Sequence, residues 1–323
     1  MKILVTGGAG YIGSHVVRGL VSAGHQPIVL DDLSHGNLAR VANIPLLEID
    51  LASPEAREFL SSAFKEHGIE GVIHLAARKS VGESVTKPEF YYQQNINSVN
   101  NLLFAMKDAG VYNLVFSSSA ATYGSPSVPS VDEDYNCKPI NPYGETKLIG
   151  EWMIADSVRA WGLKAVSLRY FNVAGAGYPD LADTAVANLI PIAFTAINEG
   201  KAIQVFGTEW PTPDGSCVRD YIHVSDLADA HISALNYLST SSSSHTVLNV
   251  GTGTGSSVFE VIQAIRDVIQ TDFQVEHVPA RAGDPATLCA DVSKIKKLLG
   301  WEAKYSLQDI VSSHWEAISK QWP

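Results

Sequence analysis

Short and almost continuously apolar runs alternate with longer stretches of helical spacing in the first half of the chain. Runs of this kind are typical of parallel strands that are buried on both faces, because a half-solvated strand would alternate apolar and polar residues. The predicted strands cover residues 2–6, 27–30, 46–49, 71–76, 113–117 and 165–169. A helix is predicted after the first glycines, where Val16, Val17, Leu20 and Val21 recur at helical spacing, and further helices are predicted near residues 54–67, 88–109 and 143–161. This order predicts an α/β fold with a doubly wound parallel sheet.

The pattern is looser beyond residue 172. Turn residues cluster at 211–215, the polar run 239–244 predicts a solvated loop, and helices are predicted over 225–238, 257–269 and 307–320. We therefore expect a first domain over residues 1–172 and a smaller mixed α/β domain over residues 173–323. Segments of the second domain are expected to return to the first.

Composition narrows the classes of function. The 323 residues include 23 Lys and Arg against 34 Asp and Glu, a net charge of −11. An acidic chain without a basic block argues against a nucleic-acid or anionic membrane surface. The apolar start is too short for a signal peptide, and the longest apolar region, 185–197, is well below the roughly 18–20 residues that span a bilayer. We expect a globular enzyme rather than a membrane protein.

Cysteines and histidines give no pattern of a metal site. Cys137, Cys217 and Cys289 are far apart and form no CxxC pair, which argues against a disulfide framework or a zinc site and predicts a reducing, cytoplasmic location. The isolated histidines at 15, 74 and 223 are interpreted as packing or hydrogen-bonding residues, and no metal is expected.

Glycines at 7, 10 and 13 lie between a predicted strand and a predicted helix. Without side chains they allow a tight turn whose backbone approaches a pyrophosphate at the start of the helix. Asp31 follows 18 residues after Gly13 and ends the second strand, where a carboxylate binds the ribose 2′-hydroxyl. Asp31 and Asp32 repel a 2′-phosphate, and no cation follows in sequence until Arg40. The prediction is therefore NAD rather than NADP.

A second glycine run, 251–255, also follows a strand-like segment. No acid ends a neighbouring predicted strand at the distance that a dinucleotide site needs. Ser257 and Glu260 instead predict a capping box for the next helix. We interpret this run as structural.

Candidate chemistry lies near residue 143. Pro142 predicts a helix start, so Tyr143 and Lys147 fall one turn apart on the same helix face. A nearby ammonium lowers the pKa of a phenol from about 10 and makes Tyr143 a candidate general base. Ser119 follows the fifth strand, where ligands bind in such sheets, although a serine run is also compatible with a plain polar loop.

These motifs, in this order, resemble the extended short-chain dehydrogenase/reductase family, whose core is a Rossmann fold. Longer stretches carry the resemblance from residue 1 to about 301. They are residues 5–15, 79–84, 116–120, 169–172, 214–215, 218–224 (Val-Arg-Asp-Tyr-Ile-His-Val) and 281–284. The last of these stretches includes Ala282 and Gly283.

The resemblance implies roles for individual residues. Tyr143 is the expected base, Ser119 its hydrogen-bonding partner, and Lys147 the residue that tunes Tyr143. The expected NAD-binding residues are Gly7, Gly10, Tyr11, Ile12, Gly13, Asp31, Asp32, Leu33, Ser34, Asp50, Leu51, Leu75, Ala76, Ala77, Lys79, Asn95, Ser117, Tyr143, Lys147, Tyr170 and Phe171. The expected UDP-sugar-binding residues are Lys79, Ser119, Tyr143, Asn172, Asn188, Leu189, Gln204, Val205, Phe206, Arg219, Arg281 and Asp284.

The sequence departs from the family pattern at residues 93–94, and at Leu288 it does not settle which sugar fits. Gln93 and Gln94 stand where the family often has asparagine, so only Asn95 is carried over. Leu288 occupies a position that sets the room around C2 of the sugar, and its intermediate size neither admits nor excludes an N-acetyl group. Without the resemblance, surface ion pairing explains Arg219 and Arg281 equally well.

The implied activity is NAD-dependent inversion at C4 of a UDP-hexose, UDP-galactose to UDP-glucose, through a transient 4-keto sugar, by a homodimer. Alternatives are epimerisation of a UDP-N-acetylhexosamine or UDP-pentose, a nucleotide-sugar 4,6-dehydratase or decarboxylase, and an inactive NAD-binding sensor. A dehydratase or decarboxylase needs an additional acid beside Ser119, but Ala120 and Ala121 follow and the next acid is Asp132. A sensor has no need of Tyr143 or Lys147, and both are present.

Overall fold

The fold is described by a computed structural model over residues 1–186, 188–241, 244–281 and 284–319. The strands are β1 (Lys2–Thr6), β2 (Gln26–Asp31), β3 (Leu46–Glu48), β4 (Gly71–His74), β5 (Asn113–Ser117), β6 (Ser130–Val131), β7 (Lys164–Tyr170), β8 (Asn172–Ala174), β9 (Ile203–Phe206), β10 (Val218–His223), β11 (His245–Val250), β12 (Gly255–Ser257), β13 (Val275–Val278) and β14 (Thr287–Ala290). The helices are α1 (Tyr11–Ser22), α2 (Ala56–His67), α3 (Val81–Thr86), α4 (Pro88–Ala109), α5 (Pro142–Trp161), α6 (Leu189–Asn198), α7 (Val224–Thr240), α8 (Val258–Ile269), α9 (Ser293–Leu299) and α10 (Leu307–Ile318). Short 3-10 turns cover Leu38–Val41 and Ala120–Tyr123.

The described chain divides into two compact units. Unit 1 comprises residues Met1–Gly124, Asn136–Arg169 and Ala228–Leu248, and unit 2 comprises Ser125–Tyr135, Tyr170–Leu227 and the described residues from Asn249 onward. The chain therefore passes between the units several times, whereas the predicted division has a single boundary at residue 172.

Unit 1 is built on a seven-stranded parallel sheet in the order β11-β7-β5-β4-β1-β2-β3. Apolar residues cover both faces of the sheet. Leu4, Val72 and Leu114 are at most 1% exposed and pack in one core with residues of the flanking helices, and Ile3, Val5 and Ile73, at the alternating positions, are fully buried as well. The predicted α/β class and doubly wound sheet are confirmed. Since β1, β2, β4 and β5 are parallel, their carboxyl ends lie at one edge of the sheet, where ligands bind in such folds.

Local sequence fixes the two long helices of unit 1. Helix α5 begins after Asn141, whose side chain accepts a hydrogen bond from the Gly144 amide, and Pro142 is its first residue, as predicted. It ends at Gly162, which has the left-handed conformation favoured by glycine. Helix α4 likewise starts with Pro88.

Unit 2 contains a five-stranded sheet and a two-stranded sheet. In the first, β12, β10, β14 and β6 are neighbours and β8 also pairs with β10; in the second, β13 pairs with β9. The second glycine run lies here and is held by the buried Asp220, whose carboxylate accepts hydrogen bonds from the amides of Thr252, Gly253 and Ala290. The predicted capping box of Ser257 and Glu260 starts α8. These contacts explain the run as a structural loop.

Several predicted bounds differ from the observed ones. The fourth predicted strand reached residue 76, but β4 ends at His74 and the following residues form a loop. Helix α7 extends to Thr240, into the predicted loop 239–244, of which Ser242 and Ser243 lie outside the described residues. The predicted helix 307–320 ends at Ile318, and Lys320 is likewise outside the described part of the chain.

Across the described ranges, none of the helices combines the length and the apolarity that crossing a membrane requires. Over the same ranges, no group of three or more His, Cys, Asp or Glu side chains is placed to hold a metal ion.

Candidate active site

The glycine turn after β1 is closed so tightly that side chains do not fit. The Gly10 amide donates to the Gly7 carbonyl at 3.2 Å, and Gly7 has a φ of +70°. A Cβ on Gly13 would lie 2.1 Å from the Gly7 carbonyl oxygen, and one on Gly7 would lie 2.7 Å from the amide nitrogen of Ala76. The turn leads into α1, whose N-cap residue is Gly10. Such a side-chain-free turn at a helix start fits a pyrophosphate.

Asp31, at the end of β2, is tied to the glycine turn. Its Oδ2 accepts from the Ala9 amide at 3.0 Å and its Oδ1 from the Leu33 amide at 2.9 Å. Burial raises the pKa of this carboxyl, and the two amide hydrogen bonds offset part of the rise. A carboxylate has about four acceptor positions, so Asp31 can still accept from ribose hydroxyls. Together with the glycine turn, these residues fit the adenosine half of NAD.

A cation does lie beside these acids, contrary to the sequence expectation that none stands close before Arg40. Arg78, in the loop after β4, forms an ion pair with Asp32, with Nη2 and Oδ2 2.8 Å apart. The expectation was wrong because it counted distance along the chain, whereas β4 and β2 are both neighbours of β1 in the sheet. NAD itself is supported by the relatives described below.

The loop after β4 collects further candidate cofactor residues. Leu75, Ala76 and Ala77 are half-buried and Lys79 is exposed. Asn95 of α4 is buried, accepts from the Arg78 amide at 2.8 Å and donates to the Thr146 hydroxyl at 3.0 Å.

Asp50 and Leu51 follow β3. Asp50 accepts from the Ala52 amide at 2.8 Å and from the Gln94 side chain at 3.3 Å, so Gln94, which the family pattern set aside, takes part in this cluster. Leu51 is buried in the core of unit 1.

Lys147 is buried below the serine run. Its Nζ donates to the Ser117 carbonyl at 2.8 Å and lies 5.9 Å from the centre of the Tyr143 ring. Burial lowers the pKa of Lys147 to about 8, although the charge of Glu151 acts in the opposite direction. The hydroxyl of Ser117 is hydrogen-bonded to the His231 ring at 2.9 Å. The ammonium is therefore fixed by a backbone oxygen rather than by solvent.

Tyr143 and Ser119 lie close enough for the Ser119 side chain to act on the phenol. Burial raises the pKa of Tyr143, and the Ser119 side chain offsets only part of the rise. The sequence interpretation expected Lys147 to lower this pKa; in this structure burial dominates. Helix α5 approaches the 3-10 turn that follows Ser119 closely, because a Cβ on Gly144 would lie 2.6 Å from the Ala121 carbonyl oxygen.

A buried ion pair underlies this group and was missed by the sequence reasoning. Arg169 donates to Glu151 through Nε to Oε1 at 2.9 Å and Nη2 to Oε2 at 2.6 Å, with both side chains at most 6% exposed. The Ser118 hydroxyl donates to Glu151 Oε1 at 2.5 Å. Glu151 follows Lys147 by four residues, so the helical spacing could have revealed it.

The candidate substrate residues lie in unit 2, except for Lys79, Ser119 and Tyr143. Asn172 begins β8 and pairs in register with Tyr221 of β10. Asn188 is the N-cap residue of α6, which begins at Leu189, and its side chain donates to the Val173 carbonyl at 3.0 Å. Of the two candidate cofactor residues in this unit, Tyr170 is half-buried and Phe171 is buried.

Charged candidates of unit 2 gather around β9 and β10. The guanidinium of Arg281 lies over the Phe206 ring, 3.6 Å from its centre. Arg219 donates from Nη1 to the carbonyls of Val218 and Pro285 at 2.9 and 2.8 Å, which makes surface ion pairing a poor explanation for it. Asp284 and both arginines lie close enough to Cys217 to act on its pKa, which burial raises.

The remaining candidates of this unit differ in access. Gln204 is exposed, whereas Val205 is fully buried in the core of unit 2, so only its backbone could contact a ligand. Leu288 is half-buried in β14, in register with Arg219. Ala282 and Gly283, which carried part of the resemblance, lie outside the described residues.

Residues 3–251 match the family described as "NAD dependent epimerase/dehydratase family". The chain belongs to this family. Among curated members it is 44% identical to the UDP-glucose 4-epimerase of Corynebacterium glutamicum, covering 99% of this chain and 96% of that protein. It is 43% identical to the UDP-glucose 4-epimerase of Azospirillum brasilense, covering 99% and 93%.

Solved structures of epimerases agree with this family over nearly the whole chain. The UDP-glucose 4-epimerase of Stenotrophomonas maltophila, with bound NAD and formylated UDP-arabinopyranose, superposes with a TM-score of 0.94 at 39% identity, covering 99% of this chain and 98% of that one. The Bifidobacterium longum enzyme, in complex with NAD+ and UDP, gives a TM-score of 0.90 at 36% identity, again covering 99% and 98%.

Proposed function

We propose that this family member inverts C4 of a UDP-hexose with NAD as cofactor and interconverts UDP-galactose and UDP-glucose. The observation that carries the proposal is the buried group of Ser119, Tyr143 and Lys147 at the sheet edge that also bears the glycine turn and Asp31. Relatives at 43–44% identity over nearly the full chain are UDP-glucose 4-epimerases.

In the proposed mechanism, Tyr143 takes the proton of the sugar 4-hydroxyl and later returns it. NAD, when bound, supplies the reversible two-electron oxidation at C4. The Ser119 hydroxyl, which lies close enough to Tyr143 to act on its pKa, would share the reacting oxygen with it. Lys147 keeps a positive charge near the phenol ring, fixed by the Ser117 carbonyl, and this charge favours the phenolate when the proton moves.

Unit 1 is the proposed NAD-binding unit and unit 2 the proposed UDP-sugar-binding unit. Guanidinium groups bind phosphate oxygens in a planar, two-pronged fashion. Arg219 and Arg281 are the donors that we assign to the diphosphate. The Phe206 ring packs against the guanidinium of Arg281, 3.6 Å from the ring centre, and so helps to hold this donor in position.

The direct test is incubation of the purified protein with UDP-galactose, with UDP-glucose measured by a coupled UDP-glucose dehydrogenase. We expect conversion by the native chain and a loss of at least about 100-fold in turnover for Tyr143→Phe, because a general base contributes about 10²–10⁴-fold. Tyr112→Phe is the matched control, since Tyr112 is exposed and packs beside Trp161. Full activity of Tyr143→Phe would exclude Tyr143 as the base.

A 4,6-dehydratase is the second enzymatic candidate, and the contacts of Glu151 argue against it. Glu151 contacts the serine run, but both of its carboxylate oxygens are taken by Arg169 and Ser118. A carboxylate engaged in this way is part of the buried ion pair and is not the additional free acid that a dehydratase needs. Formation of a 4-keto-6-deoxy sugar, measured by chromatography of the reaction mixture, would establish the dehydratase. NAD binding without turnover of any UDP-sugar would establish the inactive sensor.

We propose that the protein prefers a UDP-hexose. A UDP-N-acetylhexosamine and a UDP-pentose are the alternatives to be measured. Leu288 is the residue whose size bears on the C2 substituent. Chromatographic measurement of the C4 epimer formed from UDP-galactose, UDP-N-acetylgalactosamine and UDP-arabinose ranks the three sugars by kcat/KM, the quantity that measures discrimination.

We further propose a homodimer in the cytoplasm. Trp152 on α5 is 59% exposed and Phe90 on α4 is 38% exposed, and large apolar side chains at a surface favour association. The free thiols of Cys137, Cys217 and Cys289 suit a reducing compartment. Sedimentation of the native chain and of Trp152→Glu tests the dimer, which we expect the substitution to weaken.

A further inference from the structure

Arg78 joins three segments of unit 1 that carry candidate cofactor residues. Its Nη2 donates to Asp32 Oδ2 at 2.8 Å and its Nη1 to Ser34 Oγ at 2.5 Å, both in the loop after β2. Nε and Nη2 also donate to Gln94 Oε1 on α4, at 3.3 and 3.2 Å. Gln94 in turn donates to Asp50, which follows β3. One side chain thus connects the loop after β2, helix α4 and the loop after β3.

The donors of Arg78 are fully used by these contacts. A guanidinium has five N–H bonds. Nε bonds to Gln94, Nη2 to Asp32 and Gln94, and Nη1 to Ser34 and to His35 Nδ1 at 2.9 Å. The His35 nitrogen accepts when its ring proton is on Nε2. The side chain of Arg78 is 17% exposed, so it is held within this network rather than projecting into water.

An arginine at this place normally has another task. In dinucleotide-binding folds, the acid at the end of the second strand binds the ribose 2′-hydroxyl of NAD, whereas a nearby arginine accommodates the 2′-phosphate of NADP. This chain has both the acid, Asp31, and the arginine. Here Asp32 pairs with Arg78, so the guanidinium neutralises one of the two adjacent negative charges.

We propose that Asp32 and Arg78 form a cofactor-selecting pair, in which Arg78 holds the loop of residues 32–35 in place for NAD and Asp32 keeps Arg78 from binding a 2′-phosphate. The proposal rests on the proposed use of NAD. Arg78 is a positioning residue here, because it acts on the cofactor through the loop that it holds.

The pair is tested by cofactor occupancy rather than by turnover. Each variant is equilibrated with equal concentrations of NAD and NADP, passed through a desalting column and denatured, and the released nucleotides are measured by chromatography. The variants are Arg78→Met, Arg78→Lys, Asp32→Ala and the double variant. Arg57→Met is the matched control, because Arg57 also pairs with a carboxylate, Asp108, and lies over a phenylalanine of α4, Phe104, outside the candidate site.

We expect the native chain and Arg57→Met to retain NAD almost alone. Arg78→Met should bind NAD about tenfold more weakly, which is about 1.4 kcal/mol, with Arg78→Lys in between. Asp32→Ala should raise the ratio of NADP to NAD at least tenfold by freeing Arg78, and the double variant should lose that gain, because the two side chains are coupled.

Two outcomes would overturn the pair: an unchanged nucleotide ratio in Asp32→Ala, or NAD retention by Arg78→Met equal to that of Arg57→Met. If Arg78→Met does not fold, Asp32→Ala and Arg78→Lys still decide the question. A native chain that retains neither nucleotide contradicts the proposed function instead, so the two failures are distinguishable.

Discussion

The buried ion pair of Glu151 and Arg169 is predicted to matter for both stability and the pKa of Lys147. Glu151→Gln keeps the shape of the side chain but removes its charge, so the buried guanidinium of Arg169 loses its carboxylate partner. Removing one partner of a buried pair costs about 3–5 kcal/mol. We expect about 3 kcal/mol, because the glutamine carbonyl can still accept one of the hydrogen bonds that Glu151 now accepts.

Urea unfolding followed by tryptophan fluorescence measures this loss. With a slope of about 3 kcal/mol per molar, the midpoint should fall by about 1 M. Asp156→Asn is the matched control, because Asp156 pairs with Arg159 on the same helix but both side chains are about 70% exposed. An exposed pair contributes little, so its midpoint should not move measurably.

The second readout is the titration of Lys147. Glu151 opposes the effect of burial on this ammonium, whose pKa is about 8. Without the charge of residue 151 the pKa falls further, and the alkaline limb of the rate profile should move to lower pH. If Glu151→Gln unfolds at the same midpoint as Asp156→Asn and keeps the native pH profile, the electrostatic reasoning is refuted.

Three further predictions follow from single contacts. Gly13→Ala places a Cβ 2.1 Å from the Gly7 carbonyl oxygen and should reduce NAD retention more than about tenfold. Gly82 has open space around it, so the control Gly82→Ala should retain NAD normally. Equal NAD retention by the two variants would contradict the tight turn. Burial lowers the pKa of His74 to about 3 from 6.5. The stability that His74 contributes is therefore present above pH 6.5 and is lost as the pH falls toward 3, by about 1.4 kcal/mol per pH unit. His74→Asn should therefore make the urea midpoint depend less on pH between pH 7 and pH 5 than it does in the native chain. An equal pH dependence of the midpoint in the two proteins would count against this. Gly144→Ala should lower kcat while leaving NAD occupancy unchanged, because its Cβ meets the Ala121 carbonyl oxygen at 2.6 Å; a native kcat would show that α5 yields without cost.

The parallel sheet of unit 1 was predictable because its signal is local. The six strands predicted up to residue 169 are short, mostly apolar runs, and the glycine turn, Asp31 and Pro142 mark the loops and helix start around them. The seventh strand, β11, lies beyond the predicted boundary at residue 172. The fold of unit 2 was harder to predict from the sequence. Strand β6 has only two residues and pairs with β14, more than 150 residues later, so neither strand has a periodic pattern of its own.

In the candidate site, too, some residues could be predicted from local sequence and others could not. Tyr143 and Lys147 lie one helical turn apart and could be found from spacing. Arg78 and Asp32 are 46 residues apart, and only the order of strands in the sheet brings them together. The direction of the pKa shift of Tyr143 could not be predicted from spacing. The neighbouring lysine alone predicts a lower pKa, whereas burial raises it.

The contact between Gly144 and the Ala121 carbonyl has a consequence for how this enzyme can change. It fixes α5, which carries Tyr143, against the turn that follows Ser119, and both elements belong to unit 1. The assigned sugar-nucleotide residues, apart from Lys79, Ser119 and Tyr143, belong to unit 2. If the proposed roles hold, substitutions that adapt the protein to a different sugar can therefore accumulate in unit 2 while the spacing of Ser119 and Tyr143, the proposed proton-transfer pair, stays constant. Chemistry and substrate range are in this sense separately evolvable.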